Sequence, residues 1–269
     1  MTEIAATQVK ELRDETGAGM MDAKRALQET GGDFEAARVL LRERGMAGAA
    51  KRAGRETTEG EVLVAIAENI GAIVAVGCET EPVSKNEEFL GFAEAVLEAV
   101  LAGGADAAQS LEEQRLELSG KLGENIVVRG AERYEAGEGE ALGEYVHPPA
   151  NKIGVLVKVR GNGDPAAIRR LAMHISFAAP QWSTRDEVPS EKVEAERDIY
   201  LRSDEVQSKP EQAREKIVEG MLGKRFFAVA PGGVLADQAW IHDDKKTVAQ
   251  AVQDEGFEVL QFVRYALAE

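Results

Sequence analysis

Residues Cys78 to Phe89 read CETEPVSKNEEF and separate two unlike apolar runs. Gly71 to Val76 (GAIVAV) comes before, with β-branched Ile73, Val74 and Val76 suited to a buried strand. Phe89, Phe92, Ala93, Val96, Leu97 and Val100 follow at helical spacing. The stretch is therefore a polar loop leading from a strand into a helix. The Glu81-Pro82 step predicts an extended backbone at Glu81, because proline disfavours the α region for the residue before it. Ser84 or Asn86 is placed to cap the helix. A rigid loop projecting between packed elements suits a partner-contacting tip, and equally an ordinary turn.

Outward from this loop, the pattern recurs. EGEVLVAIAENIGAIVAV (59–76) and EGEALGEYVHPPANKIGVLVKV (138–159) each give two short strands, then a loop and a helical stripe. In the second copy the loop is Gly161-Asn162-Gly163-Asp164-Pro165, with Asp164 and Pro165 starting the helix through Ile168, Leu171, Ile175 and Ala178. Between the copies, Ser110 with Glu113 predicts a capping box for a helix through Leu122, and Asn125 to Tyr134 reads as a strand. Two small sheet-plus-helix subdomains sharing a face are expected. After them, 189–206 and 210–222 read as a charged helical hairpin with a narrow apolar seam. Thr247 caps a last helix ended by Gly256. A closing strand follows, with Phe257, Val259, Gln261, Val263 and Tyr265 on one face, rejoining the core sheet.

The N-terminal residues give three helical stretches punctuated by Gly17-Ala18-Gly19 and Gly31-Gly32, with Asp33 as an N-cap. Met20 and Met21 are adjacent and do not share one narrow stripe, which leaves two readings open: at least one at the surface, where methionine adapts to a partner, or the pair closing a very small core. Lys51, Arg52 and Arg55 mark a basic linker.

Composition bounds the function. A formal charge of −16 over 269 residues repels a phosphate backbone, so no nucleic-acid partner is expected. No apolar run approaches membrane-spanning length, and MTEIAATQVKEL lacks a signal core, so no membrane partner is expected and the location reads as cytoplasmic. Cys78 is the only cysteine, which excludes an internal disulfide framework. No phosphate-binding loop, nucleophile elbow or dinucleotide loop occurs, and His147, His174 and His242 have no cysteine cluster to complete a zinc site. His174 lies near the apolar stripe of its helix and reads as a core residue. No enzyme activity, cofactor or metal is expected.

The run KELRDETGAGMMDAKRALQETGGDFEAA (10–37) resembles the ubiquitin-associated-like N-terminal domain of the bacterial elongation factor Ts family. TEPVSKN (80–86) is similar to that family's TDFVAKN signature, and the resemblance continues through GEYVHPPANKIGVLV, LAMHISFAAP and KIVEGMLGKRF. It implies an α+β fold: an N-terminal three-helix ubiquitin-associated-like domain, a two-subdomain α+β core and a helical-hairpin (coiled-coil) protrusion. The expected division is 1–45 for the three-helix domain, 46–56 for the linker and 57–136 for the first core subdomain. The second core subdomain begins at 137–182, the hairpin spans 183–226, and 227–269 completes the second core subdomain. The implied function is guanine nucleotide exchange on elongation factor Tu, bound in its GDP-bound and nucleotide-free forms, during protein biosynthesis. The family's tip enters the GTP-binding domain of that partner and helps displace Mg²⁺; the matching positions are Thr80, Glu81, Pro82 and Val83. The same resemblance makes Arg13, Met20, Met21 and His147 candidate contacts, His147 being otherwise a polar strand-end residue. Glu81-Pro82 stands where the family has Asp-Phe, so the aromatic wedge is missing. The alternatives are a non-catalytic adaptor that tethers a helical partner through the N-terminal unit, and a hydrolase, for which only the acidic composition speaks.

Overall fold

The computed structural model describes residues 4–161 and 163–268, so Met1 to Glu3, Glu269 and the loop position Asn162 lie outside the described residues. The fold is α+β. Helices α1 (Ala6–Thr16), α2 (Met20–Glu29) and α3 (Phe34–Arg52) come first. Gly17 ends α1 in the left-handed region at φ 68°, where a Cβ is disfavoured, and its N–H bonds to the Arg13 carbonyl. The Asp33 carboxylate accepts the Ala36 N–H at 3.0 Å and starts α3 as its sequence predicts. Val9, Leu12, Ala23, Ala26, Leu27, Ala37 and Leu41 form the small core between the three helices.

The expected linker is corrected over 46–52, which continue α3. MAGAAKR is rich in alanine, a strong helix former, and Gly45 lies at a helix crossing. A Cβ built on Gly120 of α6 (Glu112–Leu122) would lie 2.8 Å from the Gly45 backbone, so α3 and α6 cross there in close contact. Around this crossing Arg42 pairs with Glu113 and Glu117, and Arg52 Nη2 donates to the Ser119 carbonyl at 2.8 Å. The N-terminal helices are thus docked on the rest of the chain, not strung from a free tether.

The first sheet has the order β1-β2-β3, all antiparallel, from β1 (Glu59–Ala67), β2 (Ile70–Cys78) and β3 (Val127–Glu135). Ala72, Val74, Val76 and Cys78 face α5 (Glu87–Gly103), whose Phe89, Phe92, Ala93, Val96 and Val100 fill the space above them. Between β2 and α5 lies a single helical turn, α4 (Glu81–Ser84). The second sheet has the order β4-β5-β8, again antiparallel: β4 (Glu140–Val146), β5 (Ile153–Gly161) and β8 (Phe257–Ala266). Its outer face carries α7 (Pro165–Ala178) and α11 (Val248–Asp254) over Val155, Val157 and Val159. The sheets meet through Val62, Ile73 and Ala75 on one side and Leu156, Val263 and Tyr265 on the other. The approach is close: a Cβ on Gly154 would stand 2.4 Å from a Val62 methyl. The layers run helix, sheet, sheet, helix, as the repeat in the sequence implies.

Between α7 and α11 come α8 (Ser190–Arg202), the single turn α9 (Asp204–Gln207), α10 (Glu211–Met221), a π-helical turn (Leu222–Phe227) and a two-stranded ribbon of β6 (Ala239–Trp240) and β7 (Asp243–Thr247). Tyr200, Val206, Val218, Met221 and Phe227 share one small core, Arg197 of α8 reaches Glu215 and Glu219 of α10, and Ile199 stays exposed.

Three local expectations are corrected. Glu81 and Pro82 lie in the first turn of α4, and the extended residue is Thr80 (φ −130°, ψ 151°), because the first turn of a helix does not need the N–H that proline lacks. Ser110 does not cap α6: it lies in a 3-10 segment (Ala105–Leu111) and its hydroxyl donates to the Ala107 carbonyl, a local bond that competes with capping. The face of β8 also changes partway along. The register with β5 slips at Leu260, so Phe257, Val259 and Phe262 face α7 while Val263 and Tyr265 face the other sheet. Asn86 does cap α5, accepting N–H groups of Glu88 (2.9 Å) and Phe89 (3.3 Å), and Thr247 caps α11 in a capping box with Gln250.

His174 is fully buried on α7, stacked on Trp240. Nδ1 accepts the Ile241 N–H at 3.4 Å and Nε2–H donates to Gln238 Oε1 at 3.0 Å, an arrangement that fits the neutral ring. Burial lowers its pKa from 6.5 to about 4. Between those values the unfolded chain binds a proton that the folded chain does not. Stability is therefore complete above about pH 6.5, falls as the pH drops and levels off below about 4, a loss of about 3 kcal/mol in all. The urea midpoint is expected to fall from pH 7 to pH 5, and to fall less in His174→Gln, whose amide does not titrate. An equal fall in both would show that His174 is not the source.

Candidate functional site

The tip is α4 with the residues that hold it. Thr80, Glu81 and Pro82 are exposed, while Val83 is half-buried against the core under α5. The turn closes on itself through Ser84 N–H to the Thr80 carbonyl (3.1 Å), Lys85 N–H to the Glu81 carbonyl (3.2 Å) and the buried Ser84 hydroxyl to the same Glu81 carbonyl (2.8 Å). Its base is gripped from the α6–β3 junction. The Glu124 carboxylate accepts the N–H groups of Glu79 and Thr80, both at 3.0 Å, and the Thr80 hydroxyl. In return the Glu79 carboxylate accepts the Asn125 N–H at 2.6 Å and the Arg55 guanidinium at 3.4 Å. Neither Glu124 nor Asn125 is singled out by the sequence. They lie 44 to 46 residues from their partners, and the only local signal is a polar pair between Gly123 and the apolar start of β3.

Cys78, the last residue of β2, is fully buried and its thiol donates to the Thr80 carbonyl at 3.4 Å. Burial, and secondarily the Glu124 carboxylate, push its pKa up to about 12. So high a value leaves almost no thiolate, and Cys78 is a packing residue without nucleophilic chemistry.

His147 follows β4 and is exposed, its Nδ1 2.9 Å from the Tyr145 hydroxyl. Its turn reaches the first sheet: the Val62 N–H bonds to the Asn151 carbonyl at 2.7 Å, Asn151 Nδ2 donates to Glu61 at 3.0 Å, and Lys152 pairs with Glu59 at 2.6 Å. Glu59 is directly opposite Cys78 in the β1–β2 ladder, so the His147 turn and the base of the tip share one end of the first sheet.

Met20 and Met21 are both exposed, at 49% and 65%, and open α2 just after the α1–α2 loop. That loop lies on Lys121, whose chain covers Gly17 and whose ammonium pairs with Glu88 at 2.7 Å in the first turn of α5. The loop that leads into the methionine pair and the tip thus both lie by the start of α5. Arg13 is exposed on α1 and pairs with the neighbouring Asp14. Among the described residues no group of three or more His, Cys, Asp or Glu is disposed to hold a metal ion, and no helix is long and apolar enough to cross a membrane.

Comparison with known proteins agrees with the sequence resemblance. The family model described as Elongation factor TS matches residues 79–269, from the base of the tip to the end of the chain. Elongation factor Ts of Thioalkalivibrio sulfidiphilus is 41% identical over 278 residues, covering 99% of this chain and 92% of that one. The protein of the same name from Arthrobacter sp. (strain FB24) is 40% identical, with 98% and 99% covered, and that of Shewanella loihica is 39% identical, with 99% and 92% covered. The chain belongs to the elongation factor Ts family of translation elongation factors.

Proposed function

We propose that the protein is a guanine nucleotide exchange factor for elongation factor Tu, acting in the cytoplasm as a binding protein and not as an enzyme. The observation that carries this reading is the exposed turn Thr80-Glu81-Pro82, held outward by Glu124 at a position matching the family's signature. A GTPase retains its nucleotide through backbone N–H groups around the phosphates and a bridging Mg²⁺. A protein that binds the nucleotide-free form more tightly must, by linkage, weaken nucleotide binding to the same extent. In this reading the tip enters the partner beside the Mg²⁺ and phosphate site. Glu81 brings a negative charge there, Pro82 a small rigid wedge, and Val83 anchors the turn from below.

Met20, Met21 and Arg13 on one flank and His147 on the other supply binding area without touching the nucleotide site. Two exposed methionines suit a partner surface, since their flexible side chains conform to it. Helices α1 to α3 carry the first flank and pack against α6 through α3. The test is release of a fluorescent GDP analogue from the cognate elongation factor Tu. The protein is expected to accelerate release in a saturable manner; no acceleration at any concentration would refute the assignment.

A further inference from the structure

We propose that Glu124 is a positioning residue for the tip, and that the Glu124-Asn125 step ties the tip to the residues just after α3. The proposal rests on the exchange reading above. A single helical turn such as α4 does not hold its own conformation, because nucleating a helix costs more than one turn returns. The residue at its N-cap, Thr80, makes no side-chain cap: its hydroxyl donates outward to Glu124 instead of accepting a helical N–H. The direction of Glu81 and Pro82 is then set from outside the turn. Three bonds to one carboxylate fix the backbone of Glu79 and Thr80, and Val83 and Ser84 seat the far side.

The next residue extends this grip across the molecule. Asn125 is 98% buried as a residue exposed to only 2%. Its Nδ2 donates to the carbonyls of Arg55 (2.8 Å) and Ala53 (3.4 Å), just beyond α3, while its N–H goes to Glu79. The Ser119 hydroxyl donates to the Glu124 carbonyl, and the Ser119 carbonyl accepts from Arg52 at the end of α3. One dipeptide thus joins the tip, α6 and the residues just after α3.

The experiment measures GDP-analogue release from elongation factor Tu across exchanger concentration for the full chain, for Glu124→Ala, Glu124→Gln and a tip variant carrying Glu81→Ala with Pro82→Gly, and for the tip variant combined with Glu124→Ala. Glu124→Ala is expected to lower the saturated rate about tenfold, the equivalent of one lost hydrogen bond to a charged group. The half-saturating concentration should change by less than about threefold, since the binding flanks are untouched. Glu124→Gln keeps one acceptor oxygen and should recover most of the rate. Added to the tip variant, Glu124→Ala should slow release no further, because both act through one element. If the tip variant is slow while Glu124→Ala releases at the unaltered rate, or slows the tip variant by its full factor, positioning by Glu124 is wrong and the exchange reading stands. If the tip variant itself is not slow, the tip reading fails and this proposal fails with it. Thermal melting accompanies each variant; should Glu124→Ala not fold, Glu124→Asp decides, since its carboxylate is drawn back by one methylene from Glu79 and Thr80 and should slow release, and an unaltered rate there overturns the proposal.

Discussion

Elongation factor Tu is expected to release GDP about ten to a hundred times more slowly, at saturating exchanger, when Glu81→Ala and Pro82→Gly are combined, the rate equivalent of about 1.5–3 kcal/mol. The two residues contribute differently. Glu81 is the charged member of the exposed trio Thr80, Glu81 and Pro82, and a hydrogen bond to a charged group is worth more than one between neutral groups. Glu81→Ala alone should account for about 1–2 kcal/mol of the barrier. Pro82 fixes one backbone angle in a turn too short to stabilise itself, so Pro82→Gly adds freedom that must be lost on docking. The opposite change, Pro82→Phe, restores the ring that the family's signature carries and should be tolerated or should speed release. Stopped-flow fluorescence at saturation measures all three. If Glu81→Ala and Pro82→Gly each leave the rate unchanged, the tip is a structural turn and His147 becomes the next candidate.

The second large effect is on stability. Gly120→Ala is expected to cost about 1–3 kcal/mol, the scale of overpacking in a tight contact. The added methyl would stand 2.8 Å from the backbone of Gly45, and backbone does not rotate out of the way as a side-chain end does. The reciprocal change makes a sharp control. A Cβ on Gly45 would lie 3.5 Å from Gly120, an ordinary contact, and alanine is favoured over glycine in a helix by about 1 kcal/mol. Gly45→Ala should therefore be neutral or stabilising. Urea unfolding decides the matter. Equal midpoints for the two variants would mean that α3 and α6 do not cross as closely as described, and that the N-terminal helices are not locked to the core.

The parts of this fold that local chemistry decides were legible in the sequence. Strands β2 and β5 announce themselves by β-branched runs, and Asp33, Asn86, Asp164 and Thr247 cap the helices that follow them because capping is a contact within three residues. What escaped depends on distant partners. The expected boundary after residue 45 gives way because α6, far along the chain, makes Gly45 a crossing point. The alternation of β8 predicts one continuous face until the slip against β5 moves Val263 and Tyr265 to the other side. Pro82 forbids an interior helix position but not the first turn, a distinction that depends on where the turn begins. The tip residues themselves were visible through their likeness to a signature, whereas Glu124 and Asn125 became visible only when the α6–β3 junction was brought against the end of β2.

The central claim, that this chain and GDP oppose one another on elongation factor Tu, is tested most directly by size-exclusion chromatography of the two proteins mixed with nucleotide removed and then titrated with GDP. The account predicts a stable complex without nucleotide that dissociates as GDP is added, because the two ligands are linked with opposite sign. A complex that persists unchanged at saturating GDP would contradict it.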